Sequence, residues 1–159
     1  MKLTAKDVMS TEFETISMDA PVMEAVERIF NGRIRESGYK TISLMVTDPM
    51  GGMAGVISMM DILYNLRPPF FDYMEDNTGM DLGDITLYIE RFKGLSVKHV
   101  MTSQVSVAAM DEHILVLVDR MVRKKIRRLP VVKDGVVIGV VYIHEVFRRL
   151  CKDWLKVVD

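Results

Sequence analysis

Cysteine is nearly missing from this chain: its 159 residues hold one, Cys151. That excludes an internal disulfide and suits a reducing cytoplasm, where the protein is expected to reside. No apolar run approaches the roughly 20 residues that span a bilayer, so no membrane insertion is expected. Residues 1–7 lack the apolar centre of a signal peptide. Net charge is almost absent too: 21 basic against 22 acidic residues leave −1. Long-range steering toward nucleic acid or anionic lipid is thereby removed. The histidines, His99, His113 and His144, are scattered without metal-ligand spacing, and no metal site is expected. No phosphate loop or nucleophile elbow occurs, so no catalytic residue is assigned and an enzyme is not expected. What is present is 49% hydrophobic and 27% charged residues, the balance of a folded globular protein. The 14 methionines, flexible and apolar, suit gap-filling in cores and subunit surfaces.

The chain repeats itself. Asp7-Val8-Met9-Ser10-Thr11 reads like His99-Val100-Met101-Thr102-Ser103, at an offset of 92. Met18-Asp19 falls on Met110-Asp111, and Val26-Glu27-Arg28-Ile29 on Val118-Asp119-Arg120-Met121, at the same offset. Met45-Val46-Thr47-Asp48 then meets Val131-Val132-Lys133-Asp134 at 86, and Gly55-Val56-Ile57 meets Gly139-Val140-Val141 at 84. The offset changes only where loops belong, and loops tolerate insertions. Each copy predicts a short strand (15–17; 105–108), a helix capped by Asp19 or Asp111, two strands (42–47 and 54–57; 129–132 and 136–142) and a closing helix (59–66; 143–155). Asp134-Gly135 marks a tight hairpin in the second copy. The expectation is an α+β fold of two βαββα repeats, residues 1–66 and 96–159. Units this small bury their apolar faces by packing on each other about a pseudo-twofold axis. Between them, residues 67–95 form a linker or insert, partly helical through Ile85, Ile89 and Phe92.

The order of these marks resembles a tandem pair of cystathionine-β-synthase (CBS) domains, a Bateman module. The resemblance is carried by Val8-Met9-Ser10 and Val100-Met101-Thr102, by Arg128-Leu129-Pro130-Val131-Val132, and by Gly55-Val56-Ile57-Ser58-Met59-Met60-Asp61. It covers most of the chain. It implies a non-enzymatic regulatory protein that binds an adenosine-containing ligand such as AMP, ADP or ATP between its copies. It also implies a homodimer, and signalling through a change of shape or association. No cofactor is required; an adenine nucleotide is the expected ligand, and the protein partner is unknown.

Gly55-x-x-Ser58-x-x-Asp61 lies where a strand runs into a helix. Glycine permits close approach of a ligand to the backbone. Ser58 sits beside the free amides of the first helical turn, which favour phosphate. The Asp61 carboxylate can accept two hydrogen bonds from a ribose diol. The same pattern also describes a plain capping box. The second copy has Tyr142 and Glu145 at these places, which makes any second site weaker. Arg127 and Arg128 close a basic run in the second copy. Related modules hold phosphates with bases just before this strand, and either arginine could reach a phosphate near Ser58. A solvated helix end is the alternative. Thr15, Ile16, Val56 and Ile57 are candidates for the base pocket, with strand packing as the alternative.

Two other functions stay open. A ligand-free dimerisation or interaction scaffold would explain the missing Ser and Asp in the second copy. A divalent-cation or nucleic-acid sensor would draw on Asp72, Glu75, Asp76, Asp81 and Asp84, which lack the spacing of an EF-hand loop. Nucleic acid is the less expected partner, because one short basic cluster on a neutral protein is a weak footprint.

Overall fold

The computed structural model describes residues 2–40 and 42–155. The expected domain ends at Met1 and at residues 156–159 lie outside them, as does Thr41 ahead of the first copy's second strand. The first copy runs α1 (Ala5–Val8), β1 (Thr15–Ser17), α2 (Val22–Phe30), β2 (Ser43–Thr47), β3 (Met53–Ser58) and α3 (Met59–Leu66). A 3-10 turn (Pro69–Tyr73) and α4 (Thr86–Lys93) follow. The second copy runs α5 (Val97–Val100), α6 (Ile114–Lys124), β4 (Arg128–Lys133), β5 (Val136–Tyr142) and α7 (Ile143–Leu155). The fold is α+β with two repeats. In the first, β1 pairs parallel with β2, and β2 antiparallel with β3. In the second, β4 and β5 form the antiparallel pair. The expected strand 105–108 is reduced there to a parallel bridge from Ala108 to Val131.

The first turn of each copy packs on the other copy. Val97 and Val100 of α5 are buried with Ile16, Val22, Leu44 and Ile57 of the first copy. Ala5 and Val8 of α1 are buried with Ile114, Leu117, Leu129 and Val141 of the second. The backbone bonds come in matched pairs. Ala5 N–H donates to Glu112 O, and Val97 N–H to Ala20 O, each at 2.9 Å. Ser10 bridges Val140 on β5, and Thr102 bridges Val56 on β3. Each pair is related by the repeat offsets, which is the signature of a pseudo-twofold axis. A third cluster (Met45, Val56, Val137, Val140 and Tyr142) forms the seam where the two sheets meet. Full burial of each such Val, Leu or Ile contributes about 1.5–3 kcal/mol. The linker joins the first core through Phe92 of α4.

The long helices start two residues later than the aspartates predict. Ala20 N–H donates to Ser17 O, so Asp19 lies in a turn before the helix. Pro21 takes the N-cap place, where its fixed φ fits. In the second copy His113 is the cap: its Nδ1 accepts from Leu115 N–H at 3.1 Å. Arg28 and Arg120, equivalent on α2 and α6, reach back to carbonyls of equivalent residues, Thr15 at 2.7 Å and Val107 at 2.9 Å.

The equivalent glycines show why that residue stands where it does. A Cβ at Gly55 would overlap the Thr102 carbonyl oxygen, which is backbone and already bonded to Val56 N–H. A Cβ at Gly139 would strike only the flexible Met9 side chain. Gly55→Ala is therefore expected to cost about 2–3 kcal/mol and Gly139→Ala about 1 kcal/mol in urea unfolding, with the order as the critical result.

Arg120 also grips Glu112 at 2.6 and 3.2 Å. That pairing, with the Ala109 N–H, holds the Glu112 carboxyl below its usual value near 4.5. A lowered folded value means a contribution present above the unfolded value and lost as pH falls through the folded one. Glu112→Gln should thus be less stable than the parent at neutral pH by about 1 kcal/mol. The gap should close as the medium is acidified below the usual carboxylate range, followed by thermal melts.

Candidate functional site

Strand alternation decides which candidate residues share a surface. Thr15, Met45, Val56 and Ser58 fall on the face of the first sheet turned toward the second copy, by their register across β1, β2 and β3. Ile16 and Ile57 fall on the opposite face, buried among α2 and α5. Their side chains fill the helical core and are not part of the cluster between the two sheets. Gly55 is buried, and the group approaching it is the Met101-Thr102 backbone of the second copy, which takes the room expected for a ligand.

Ser58 caps α3 and is 8% exposed. Its N–H and hydroxyl donate to Asp61 Oδ2 at 2.8 and 3.0 Å, and its Oγ accepts from Asp61 N–H at 3.4 Å. This is a full capping box. The other carboxylate oxygen, Oδ1, accepts the Thr102 hydroxyl of the second copy at 2.7 Å. Asp61 therefore ties the copies together. A carboxylate has about four acceptor positions, so capacity remains beside these three bonds, and the Thr102 hydroxyl is exchangeable for another.

The second copy supplies the bases. Arg128 is half-buried on β4, directly opposite Tyr142 on β5. Burial holds its guanidinium below its ordinary value, as do Arg127 and Arg35; Tyr142 and Asp61 oppose them. Arg128 thus feels Asp61 across the junction of the copies. Arg127 is exposed, and its carbonyl accepts from Ile143 N–H at the start of α7. Arg128 faces Tyr142 across the β4–β5 pair, whereas Arg127 precedes the strand.

Tyr142 and Glu145, which stand at the places of Ser58 and Asp61, are covered by a residue the sequence did not single out. Arg35, from the segment between α2 and β2, is 5% exposed. Its guanidinium carbon lies 3.6 Å above the Tyr142 ring, and its Nε is 3.5 Å from Glu145 Oε1. That Nε makes no hydrogen bond, the one such buried side-chain atom among the described residues. Burial pushes the Tyr142 phenol up, and Arg35 holds it back. The signal that could have found Arg35 is the six-residue surplus in this segment. Thr102 could have been found from its place in the Val-Met-Thr mark.

Elsewhere the acidic residues serve local turns. Asp76 and Asp84 accept from Thr78 and Thr86 two residues on, and Asp72 pairs with Arg67 and Tyr64. Among the described residues no group of His, Cys, Asp and Glu is placed to hold a metal ion. No helix among them is long and apolar enough to cross a membrane. A cavity of about 220 Å³ opens between the copies beside Gly55, lined by Met53, Ser103, Val105 and Val132 among others.

The family described as CBS domain matches residues 5–68 and 97–152. A CBS domain-containing protein of unknown function from Bacillus anthracis has a similar structure, with a TM-score of 0.71 at 20% identity over 94% of each chain. A CBS domain pair in complex with 5′-methylthioadenosine and S-adenosyl-L-methionine is similar at TM-score 0.66 and 20% identity, covering 96% of this chain and 99% of that one. The cytosolic domain of the Mg2+ channel MgtE in complex with ATP is similar at TM-score 0.64 and 19% identity, covering 92% of this chain and 48% of that one. At these identities the likeness is one of fold. No curated protein matches the sequence.

The capping box has a measurable weight apart from any ligand. Ser58→Ala should lower stability by about 1 kcal/mol, the usual loss for an N-cap side chain. Thr102→Val should lower it by a similar amount through the bond to Asp61. Because both bonds end on one carboxylate, the double variant should depart from additivity in a denaturant cycle.

Proposed function

This chain belongs to the CBS-domain family, as a tandem pair, and we propose that it is a non-enzymatic regulatory module that binds an adenosine-containing ligand where Ser58 and Asp61 meet Arg128. One observation carries the reading. The Ser58 hydroxyl at a helix N-terminus and the Asp61 carboxylate meet Thr102 of the second copy on the face the copies share, and Asp61 lies within the electrostatic reach of Arg128 from that copy. A phosphate suits the first-turn amides of α3 and Arg128. A ribose diol suits Asp61, exchanging with the Thr102 hydroxyl. Two solved relatives give support from outside the chain, one holding 5′-methylthioadenosine and S-adenosyl-L-methionine and the other ATP.

The mechanism follows from where the ligand would sit. Ser58 and Asp61 belong to the first copy, Thr102 and Arg128 to the second. A ligand bridging them binds one arrangement of the copies more tightly than others and shifts the population toward it. The exposed apolar side chains of α3 and α7, among them Met60, Leu63, Phe147 and Trp154, give a second copy a surface on which to read that change as a homodimer.

Calorimetric titration with AMP, ADP, ATP and S-adenosylmethionine tests the reading. Binding by at least one is expected. Asp61→Ala and Arg128→Ala should each weaken it roughly ten- to hundredfold, the loss of a charge-assisted hydrogen bond. Tyr142→Ala should change it much less. No heat and no thermal stabilisation by any of the four at millimolar levels would sink the proposal, and equal losses from all three variants would move the site elsewhere.

A further inference from the structure

The two ends of the duplication are not equally open. Twelve residues separate α2 from β2, whereas three separate α6 from β4. The surplus is folded. Ile34 bridges Lys40, Arg35 N–H donates to Tyr39 O, and Gly38 N–H donates to Arg35 O. This small hairpin crosses to the second copy. Arg35 lies on Tyr142 and against Glu145, and Tyr39 stacks on His144 with ring centroids 4.3 Å apart. Tyr142 and Glu145 are the counterparts of Ser58 and Asp61 by the repeat offset of 84.

We infer that this hairpin is a built-in occupant of the second ligand position, with Arg35 seated where a nucleotide would otherwise bind, so that the chain keeps one site open and the other in reserve. The inference rests on the reading of Ser58 and Asp61 as a ligand site. The chemistry of the seat explains the fit: an aromatic face and a carboxylate are complementary to a guanidinium. The seat also explains why the occupant is removable. Nε of Arg35 is buried without a hydrogen bond, and Arg128 brings a second positive charge to the same ring. A buried cation with incomplete partners and a like neighbour is held less firmly than a fully paired one. Among the described residues, a cavity of about 610 Å³ lies between the hairpin tip and α7, bordered by Tyr39, Phe147 and Leu155. Once Arg35 leaves, Tyr142 offers a shelf for a purine and Glu145 an acceptor for a ribose diol.

The test uses the full chain and Arg35→Ala, with Arg35→Gln as the substitute if the alanine variant fails to fold. The same four nucleotides are titrated into each protein. In a separate arm without nucleotide, ethylguanidinium is added during thermal melts. One equivalent per chain is expected for the parent and two for the variant. Ethylguanidinium should raise the Tm of the variant alone, by refilling the seat over Tyr142. A single equivalent in both proteins overturns the inference, with or without rescue, because the seat then takes no nucleotide. Should the parent bind none of the four, the Ser58 and Asp61 reading fails by itself, and the seat is judged on the variant: one equivalent supports Arg35 as its occupant, and none overturns it.

Discussion

Everything in this structure depends on a reciprocal exchange. The first turn of each copy, α1 or α5, completes the core of the other. Without Val97 and Val100 the first sheet loses buried partners, and without Ala5 and Val8 the second does. A lone unit of this size buries little apolar surface and is marginal by itself. The exchange also fixes the junction at the level of single atoms. The segments that follow those turns bridge β3 and β5 through Thr102 and Ser10, so the candidate site is assembled by the same contacts that assemble the fold.

That coupling gives the site its double character. Ser58 and Asp61 form a capping box, as a local reading of the sequence allows, and the box is what holds their side chains still. Asp61 then reaches beyond its own copy to Thr102. A carboxylate engaged in this way senses any displacement of one copy against the other. Capping and the proposed ligand recognition would be two uses of one arrangement, since both draw on groups beside the amides of a first helical turn.

The repeat made most of the fold legible. Elements related by an offset that changes only in loops had to be alike, and their β-branched runs and helical spacings agreed with one another. What stayed hidden depends on where chain segments meet in space. The aspartate caps were misplaced because a tight turn at Ser17–Ala20 delays the helix, a choice made by backbone bonds. Ile16 and Ile57 adjoin the candidate surface in sequence, but alternation along their strands sends their side chains to the other face. Gly55 offers room in the sequence for a ligand, and in the fold backbone from the other copy lies against it. Arg35 was invisible because nothing in a loop's composition says which helix it will lie against.

The matched bonds have a further meaning. A molecule whose halves trade their first turns in this way has the topology of two identical subunits clasped together and then joined end to end. In such a pair of identical subunits every insertion appears twice, once on each side. Joining them in one chain lifts that requirement. A hairpin carrying an arginine can be added to one half alone, and the bases concentrated in the other, without either change being copied across the axis. The lopsidedness of Arg35 over Tyr142 is open to one chain with two unlike halves and closed to a pair of identical subunits.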